Sequence, residues 1–348
     1  MNQAKVLNFF GLLLIMFGIS FAIPLFVAIF YGESLIRVFA LGMSILVLIG
    51  FLSWFFTKDN KQELSLSDGF VITVLFWIVL SVSGSIPFIL FGFGVVDSFF
   101  ESMSGITTTG ATVIAGLDDL PKSLLIYRQL LQWLGGMGLI VLAIAVMPLL
   151  GIGGGQLFKT QTPGPMSEQR LTPRITSTAR ALWSIYFVLT VLCIFAYRLA
   201  GMSYFDAVSH AFSTVSIGGF STHDLSIGFF DSLSVEIVCI TFMLLSAMSF
   251  AVHYSAIYRK QVLKYFYDPE LRFFVSLLIV ILGLVCLSLF ANDIDDPVRS
   301  GLFQTVSILT TTGFLTDEYS SWPAYISFML LVGAFVGACS GSVGGGIK

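Results

Sequence analysis

Apolar residues run along this chain in blocks of about 20, the length that crosses about 30 Å of hydrocarbon as a helix. The blocks fall at roughly 6–30, 38–56, 69–93, 123–150, 181–200, 233–257, 272–291 and 323–346, which predicts eight membrane spans. Between some of them lie segments too polar to cross and too apolar for ordinary loops, at 97–112, 203–222 and 298–316. Each opens on an aromatic-rich, weakly amphipathic stretch and closes on Thr, Ser and Gly, so each reads as a short half-helix followed by a polar turn. The first block is too long for a signal-peptide core and lacks a small-residue cleavage site, so it is expected to be a true span.

Composition agrees with that pattern. Of 348 residues, 56% are hydrophobic and only 11% are charged, against about 25% charged in soluble domains. The expected class is an all-α polytopic membrane protein. The net charge of −3 says little, but its distribution says more. With the N-terminus in the cytoplasm, twelve of the seventeen Lys and Arg lie inside, among them Lys5, Lys58, Arg170 and Arg259, as the positive-inside rule requires. The outer loops then collect acids such as Glu33, Asp97, Glu101, Asp206, Asp224, Asp296 and Asp317. Ordinary solvated loops would also look like this, but a negative mouth concentrates and steers cations. Cys193, Cys239, Cys286 and Cys339 sit singly inside apolar blocks and read as packing residues.

The three intermediate segments align without gaps on one glycine. They are Ser104-Gly105-Ile106-Thr107-Thr108-Thr109-Gly110, Ser213-Thr214-Val215-Ser216-Ile217-Gly218-Gly219 and Ser307-Ile308-Leu309-Thr310-Thr311-Thr312-Gly313, and their glycines are 109 and then 94 residues apart. A single copy could be a re-entrant packing turn. Three copies, each between two spans, point to a pore. A cation inside a membrane needs oxygen ligands to replace its water, and rings of backbone carbonyls supply them. Glycine reaches the backbone angles that aim successive carbonyls one way. Polar backbone at membrane depth is tolerated where it lines a wet cavity or is buried in protein. The expected ion-binding filter is therefore Thr107, Thr108, Thr109 and Gly110; Ser216, Ile217, Gly218 and Gly219; and Thr310, Thr311, Thr312 and Gly313. Potassium is expected at Thr108, Thr109, Ile217, Gly218, Thr311 and Thr312. It is the only cofactor expected, and nothing covalent is.

The last span ends in a run with six glycines between Gly333 and Gly346, each worth about 1 kcal/mol against a helix relative to Ala. A broken helix is expected there, with Gly341, Gly344, Gly345 and Gly346 forming a gate loop below the filter; close helix packing through small residues is the alternative. Arg128 is expected to pair with Asp97, Glu101 or Asp119. His210, His223 and His253 lack metal-ligand spacing. Gly151-Ile152-Gly153-Gly154-Gly155 lacks the spacing of a nucleotide loop. No HExxH or GxSxG motif occurs, so no enzyme is expected.

At the three filter segments the chain resembles the Trk/Ktr/HKT superfamily of cation transporters. Ile217-Gly218-Gly219-Phe220-Ser221-Thr222-His223-Asp224, Tyr127-Arg128-Gln129-Leu130-Leu131-Gln132-Trp133-Leu134-Gly135-Gly136-Met137-Gly138 and Pro163-Gly164-Pro165 carry the same resemblance. The pair of N-terminal spans makes the TrkH-type branch the best match. The resemblance implies span–pore-helix–span repeats around a pseudo-fourfold pore, with three of four repeats present plus two extra N-terminal spans. The expected divisions are 1–60 for the extension, then 61–160, 161–265 and 266–348 for the repeats. A fourth repeat would lie beyond Lys348, and without it the chain is expected not to transport alone. The resemblance further implies a homodimer, a cytosolic TrkA-type nucleotide-binding regulator that could use the basic segment 159–180, and a lipid bilayer as setting, specifically the bacterial inner membrane; no nucleic-acid partner is expected. Glycine at all three filter positions implies potassium uptake; a sodium or sodium/potassium symporter and a non-conducting scaffold are the alternatives.

Overall fold

In the computed structural model the described residues are 3–59, 66–138 and 175–347, and every regular element among them is helical. Helices α1 (Gln3–Ser20) and α2 (Ala22–Tyr31) continue one another as a 29-residue apolar stretch, and α3 (Ile36–Thr57) returns beside it. Gly11 and Gly50 let α1 and α3 touch through backbone. A Cβ on Gly11 would lie 2.8 Å from the Gly50 carbonyl oxygen, and one on Gly50 2.6 Å from that of Gly11. Close approach through glycine is how helices associate in lipid, where burial of apolar surface gives no drive.

Helix α4 (Leu66–Phe91) leads to the short α5 (Val95–Ile106), and α6 begins at Lys122 and runs to Gly136. Glu33, in the turn after α2, caps α6: its carboxylate accepts from the backbone N–H of Lys122 at 2.7 Å and of Ser123 at 3.1 Å, and from the Ser123 hydroxyl. A carboxylate there satisfies free amides and meets the positive end of the helix dipole. Glu33, which by sequence alone reads as a steering charge, is thus committed to structural bonds.

The remaining helices are α7 (Ile175–Leu199), α8 (Tyr204–Val215), α9 (Leu233–Ala247), α10 (Phe250–Tyr258), α11 (Lys264–Tyr267), α12 (Pro269–Ala291), α13 (Pro297–Leu309) and α14 (Ala324–Val336). The chain divides into two compact units. One holds everything up to Thr107 together with the described chain from Ala111 through α6. The other holds Thr108–Gly110 together with Ala181 onward.

Among the described residues five helical stretches are long and apolar enough to cross a membrane, and α5, α8 and α13 fall on the three intermediate segments as half-helices of 12, 12 and 13 residues. Two expected spans are not continuous helices, the second at the glycine run where a break is expected. The block 233–257 is two helices, α9 and α10, meeting at 92°, because Met248 and Ser249 are extended (ψ 151° and 126°). The block 323–346 is helical only to Val336, where Gly337 turns left-handed (φ 67°) and a loop follows. The expected span 123–150 is described only as far as Gly138. Gly151–Gly155, Pro163-Gly164-Pro165 and most of the basic segment 159–180 lie outside the described residues.

Candidate ion filter

The three half-helices end alike. Thr107, Ser216 and Thr310 cap α5, α8 and α13, each bonding its own N–H back into the helix. The next residue in each case is a non-glycine in the left-handed region: Thr108 (φ 55°), Ile217 (φ 53°) and Thr311 (φ 65°). Two residues later comes the shared glycine, also left-handed: Gly110 (φ 78°), Gly219 (φ 79°) and Gly313 (φ 82°). A left-handed β-branched residue is a genuine outlier, and the same outlier at the same register three times marks one backbone device used three times. In the second and third copies the turn closes identically. The Gly218 N–H donates to the Ser213 carbonyl and the Thr312 N–H to the Ser307 carbonyl, both at 2.8 Å.

These segments meet through their glycines. A Cβ on Gly110 would collide with the carbonyl oxygen of Gly218, and one on Gly219 with the carbonyl oxygen of Thr312. The carbonyl of the residue preceding the second glycine thus abuts the first glycine, and the carbonyl preceding the third glycine abuts the second. Thr108–Gly110 belongs to the same unit as the other two segments, whereas Thr107 belongs with α5. The hydroxyls of Thr107 and Thr310 are spent on helix carbonyls, those of Met103 (2.7 Å) and Val306 (2.8 Å).

The glycine-rich loop after α14 lies against the second and third segments. The Gly345 N–H donates to the Thr311 hydroxyl at 2.8 Å. A Cβ on Gly344 would lie 2.9 Å from the Thr310 carbonyl oxygen and 3.5 Å from the Ile217 side chain. Ile217 is buried with Ala247, Leu271, Phe274, Ala338 and Cys339, and Val343 packs on this cluster. The loop is knitted to the α9–α10 break, whose freed carbonyls accept from it: Ala247 from the Cys339 N–H (3.0 Å) and Ser246 from the Val343 N–H (3.5 Å). Gly341 in turn accepts from the Phe250 N–H at 3.0 Å, and Glu270 at the start of α12 accepts from the Ser340 N–H. The break in 233–257 was not visible in the sequence because Ser246–Ser249 carries neither Pro nor Gly; the carbonyls it frees are satisfied by a loop about 90 residues further on.

Arg128 pairs with Glu101, the second of its three expected partners. Its Nε donates to Oε1 at 2.7 Å with both side chains fully buried. At the N-terminus of α8, Ser203 and Asp206 form a capping pair. The Asp206 carboxylate accepts from the Ser203 hydroxyl (2.7 Å) and the Thr222 hydroxyl (2.9 Å), and His223 lies 3.5 Å away. Burial alone would raise the Asp206 carboxyl, but these donors hold it well below the usual carboxylate range. Among the described residues no cluster of His, Cys, Asp and Glu could hold a metal ion.

The family described as TrkH, cation transport protein, matches residues 35–348. The chain is 47% identical over 354 residues to the Trk system potassium uptake protein TrkH of Halomonas elongata, with 100% of this chain and 73% of that protein aligned. It is 42% identical over 355 residues to the protein of the same description from Escherichia coli K12, with 100% and 74% aligned. The crystal structure of the potassium transporter TrkH from Vibrio parahaemolyticus superimposes with a TM-score of 0.87 at 44% identity, over 99% of this chain and 72% of that one.

Proposed function

The chain belongs to the TrkH family of cation transport proteins, and from that premise we propose that it takes up potassium across the bacterial inner membrane through a filter built from residues 107–110, 216–219 and 310–313. As a member of that family it is a transporter and not an enzyme. The observation that carries the filter reading is the threefold recurrence of one backbone device, a left-handed Thr108, Ile217 or Thr311 followed by a left-handed glycine, with two of the glycines jammed against a neighbouring carbonyl. Main-chain oxygens packed this closely replace the hydration shell of a monovalent cation without a net protein charge. Each half-helix ends, at its C-terminal, negative dipole end, on its own segment.

The loop 337–347 is the gate in this reading. It touches Thr311 and Ile217 directly below the second and third segments, and the apolar cluster around Ile217 can close a path by excluding water. A pseudo-fourfold pore, an inward N-terminus, a homodimer and a TrkA-type nucleotide-binding regulator on the cytoplasmic face complete the proposal. The relatives' description as parts of a Trk system supports a further component.

Uptake of potassium and sodium by the protein in liposomes, beside a Gly110→Ser variant, tests the filter. A side chain at Gly110 must displace the Gly218 carbonyl, so the preference for potassium over sodium should fall. A variant that folds and keeps the wild-type ratio would remove Gly110 from the filter.

A further inference from the structure

When the three half-helices are aligned on the filter glycine, the residue nine positions earlier is Glu101 in α5, His210 in α8 and Gln304 in α13. These share no chemistry beyond being polar, yet all three are fully buried. Each reaches the chain that leaves its own filter. The Glu101 carboxylate accepts from the Thr112 hydroxyl at 3.0 Å and from the Val113 N–H at 3.3 Å. His210 Nε2 meets the Ser221 hydroxyl at 2.9 Å. Gln304 Nε2 donates to the Asp317 carbonyl at 3.1 Å. Thr112 and Ser221 stand two residues after their glycines and Asp317 four.

We infer that Glu101, His210 and Gln304 are positioning residues that fix the exit strand of each filter segment and so set how closely its carbonyls surround an ion. This rests on the filter reading above.

The entry side of each segment is held by its helix: the second and third turns close on the Ser213 and Ser307 carbonyls. The helix backbone does not hold the exit side, because the left-handed glycine turns the chain away from it. A buried polar side chain one glycine-turn back is the shortest reach from the rigid element to that strand. Two of the hooks are themselves braced from behind. Arg128 Nε holds Glu101 at 2.7 Å and its Nη2 also donates to the Thr112 hydroxyl at 3.1 Å. His210 Nδ1 lies 2.9 Å from the Asp206 carbonyl one turn earlier. That bond puts the proton on Nδ1 and leaves Nε2 to accept from Ser221, whose oxygen also accepts from the His223 N–H at 3.1 Å. The third repeat adds a direct lock, the Ser307 hydroxyl donating to the Phe314 carbonyl at 2.7 Å. A bare packing role would place apolar residues at these sites, since a buried polar group without a bond is costly.

The test uses Thr112→Val, Ser221→Ala and Gln304→Met, none of which alters a filter residue, with Gly219→Ser as control. Sodium entry relative to potassium is measured in liposomes, beside the thermal unfolding of each purified protein. Loss of one hydrogen bond's worth of ordering should raise the sodium-to-potassium ratio by about three- to tenfold, and Ser221→Thr, which keeps the hydroxyl, should restore it. If the ratio shifts in Gly219→Ser but in none of the three hook variants, the inference fails while the filter stands. If Gly219→Ser leaves it unshifted too, the filter reading fails and takes the hooks with it. Should Gln304→Met not fold, Thr112→Val and Ser221→Ala, which only delete a hydroxyl, decide the matter.

Discussion

The Nε of Arg128 donates to Oε1 of Glu101 at 2.7 Å, and neither side chain has any solvent exposure. The pair joins the first half-helix to α6 and, through the Thr112 hydroxyl, to the chain that follows the first filter segment. A buried pair of this kind adds little over a well-packed apolar pair, but losing one partner strands a charge. Arg128→Met should therefore destabilise the protein by about 3–5 kcal/mol, read as a fall in unfolding midpoint in detergent. The double variant Glu101→Leu with Arg128→Met should recover a large part of that loss. A double variant as unstable as Arg128→Met alone would mean that the carboxylate is not what makes the single change costly.

Gly135 passes so close to the end of α5 that an added Cβ would overlap the Ile106 carbonyl, a backbone atom that no rotamer change can move. Gly135→Ala should push α5 off α6 and cost more than the roughly 1 kcal/mol that alanine gains over glycine in a helix. Gly283 on α12 has open space at its Cβ and serves as the comparison, since Gly283→Ala should be neutral or mildly stabilising. Equal unfolding midpoints for the two variants would refute the close contact.

The loop after α14, the proposed gate, holds two glycines that look alike in sequence and differ in their surroundings. A methyl on Gly344 would stand 2.5 Å from the Ala338 Cβ and 2.9 Å from the Thr310 carbonyl oxygen, while one on Gly345 would meet the Thr311 hydroxyl at a tolerable 3.3 Å. Gly344→Ala should change open probability in single-channel or flux records more than ion preference, because the methyl meets Ala338 most closely and the proposed filter only at the Thr310 carbonyl. Gly345→Ala should be nearly silent. A change in ion preference without a change in opening would place the loop in the filter instead of below it.

Much of this was legible in the primary structure for a plain reason. Apolar blocks of spanning length and a polar Ser-x-x-(Thr/Ser)-x-x-Gly turn are local signals, and the half-helices and left-handed turns sit where those signals lie. What sequence did not yield depends on partners far along the chain. The α9–α10 break holds because loop amides near Cys339 and Val343 take the carbonyls of Ala247 and Ser246. The hooks were missed because Glu101, His210 and Gln304 look unrelated one by one. Only the register counted from each glycine reveals them, and Glu101 was read among the steering acids of the outer loops although it is buried and paired.

Asp206 closes the N-terminal turn of α8 and ties it to Thr222, three residues past the second filter glycine. Its carboxyl is held well below its ordinary value of 3.8, by donors that outweigh its burial. A group whose folded value is depressed adds stability that is fully present above the unfolded value and is lost as pH falls through and below it. Asp206 should therefore be charged throughout the neutral range and contribute constant stability there. The unfolding midpoint of the wild type should begin to fall only below about pH 4. Asp206→Asn keeps the size but weakens the bonds to Ser203, Thr222 and His223. It should lower the midpoint at neutral pH and flatten the acid limb, because the proton uptake that drives that limb is gone. Equal acid slopes in the two proteins would show that another carboxylate carries the acid sensitivity. A neutral-pH midpoint unchanged by Asp206→Asn would show that the capping network leaves the second filter segment no more stable than helix packing already makes it.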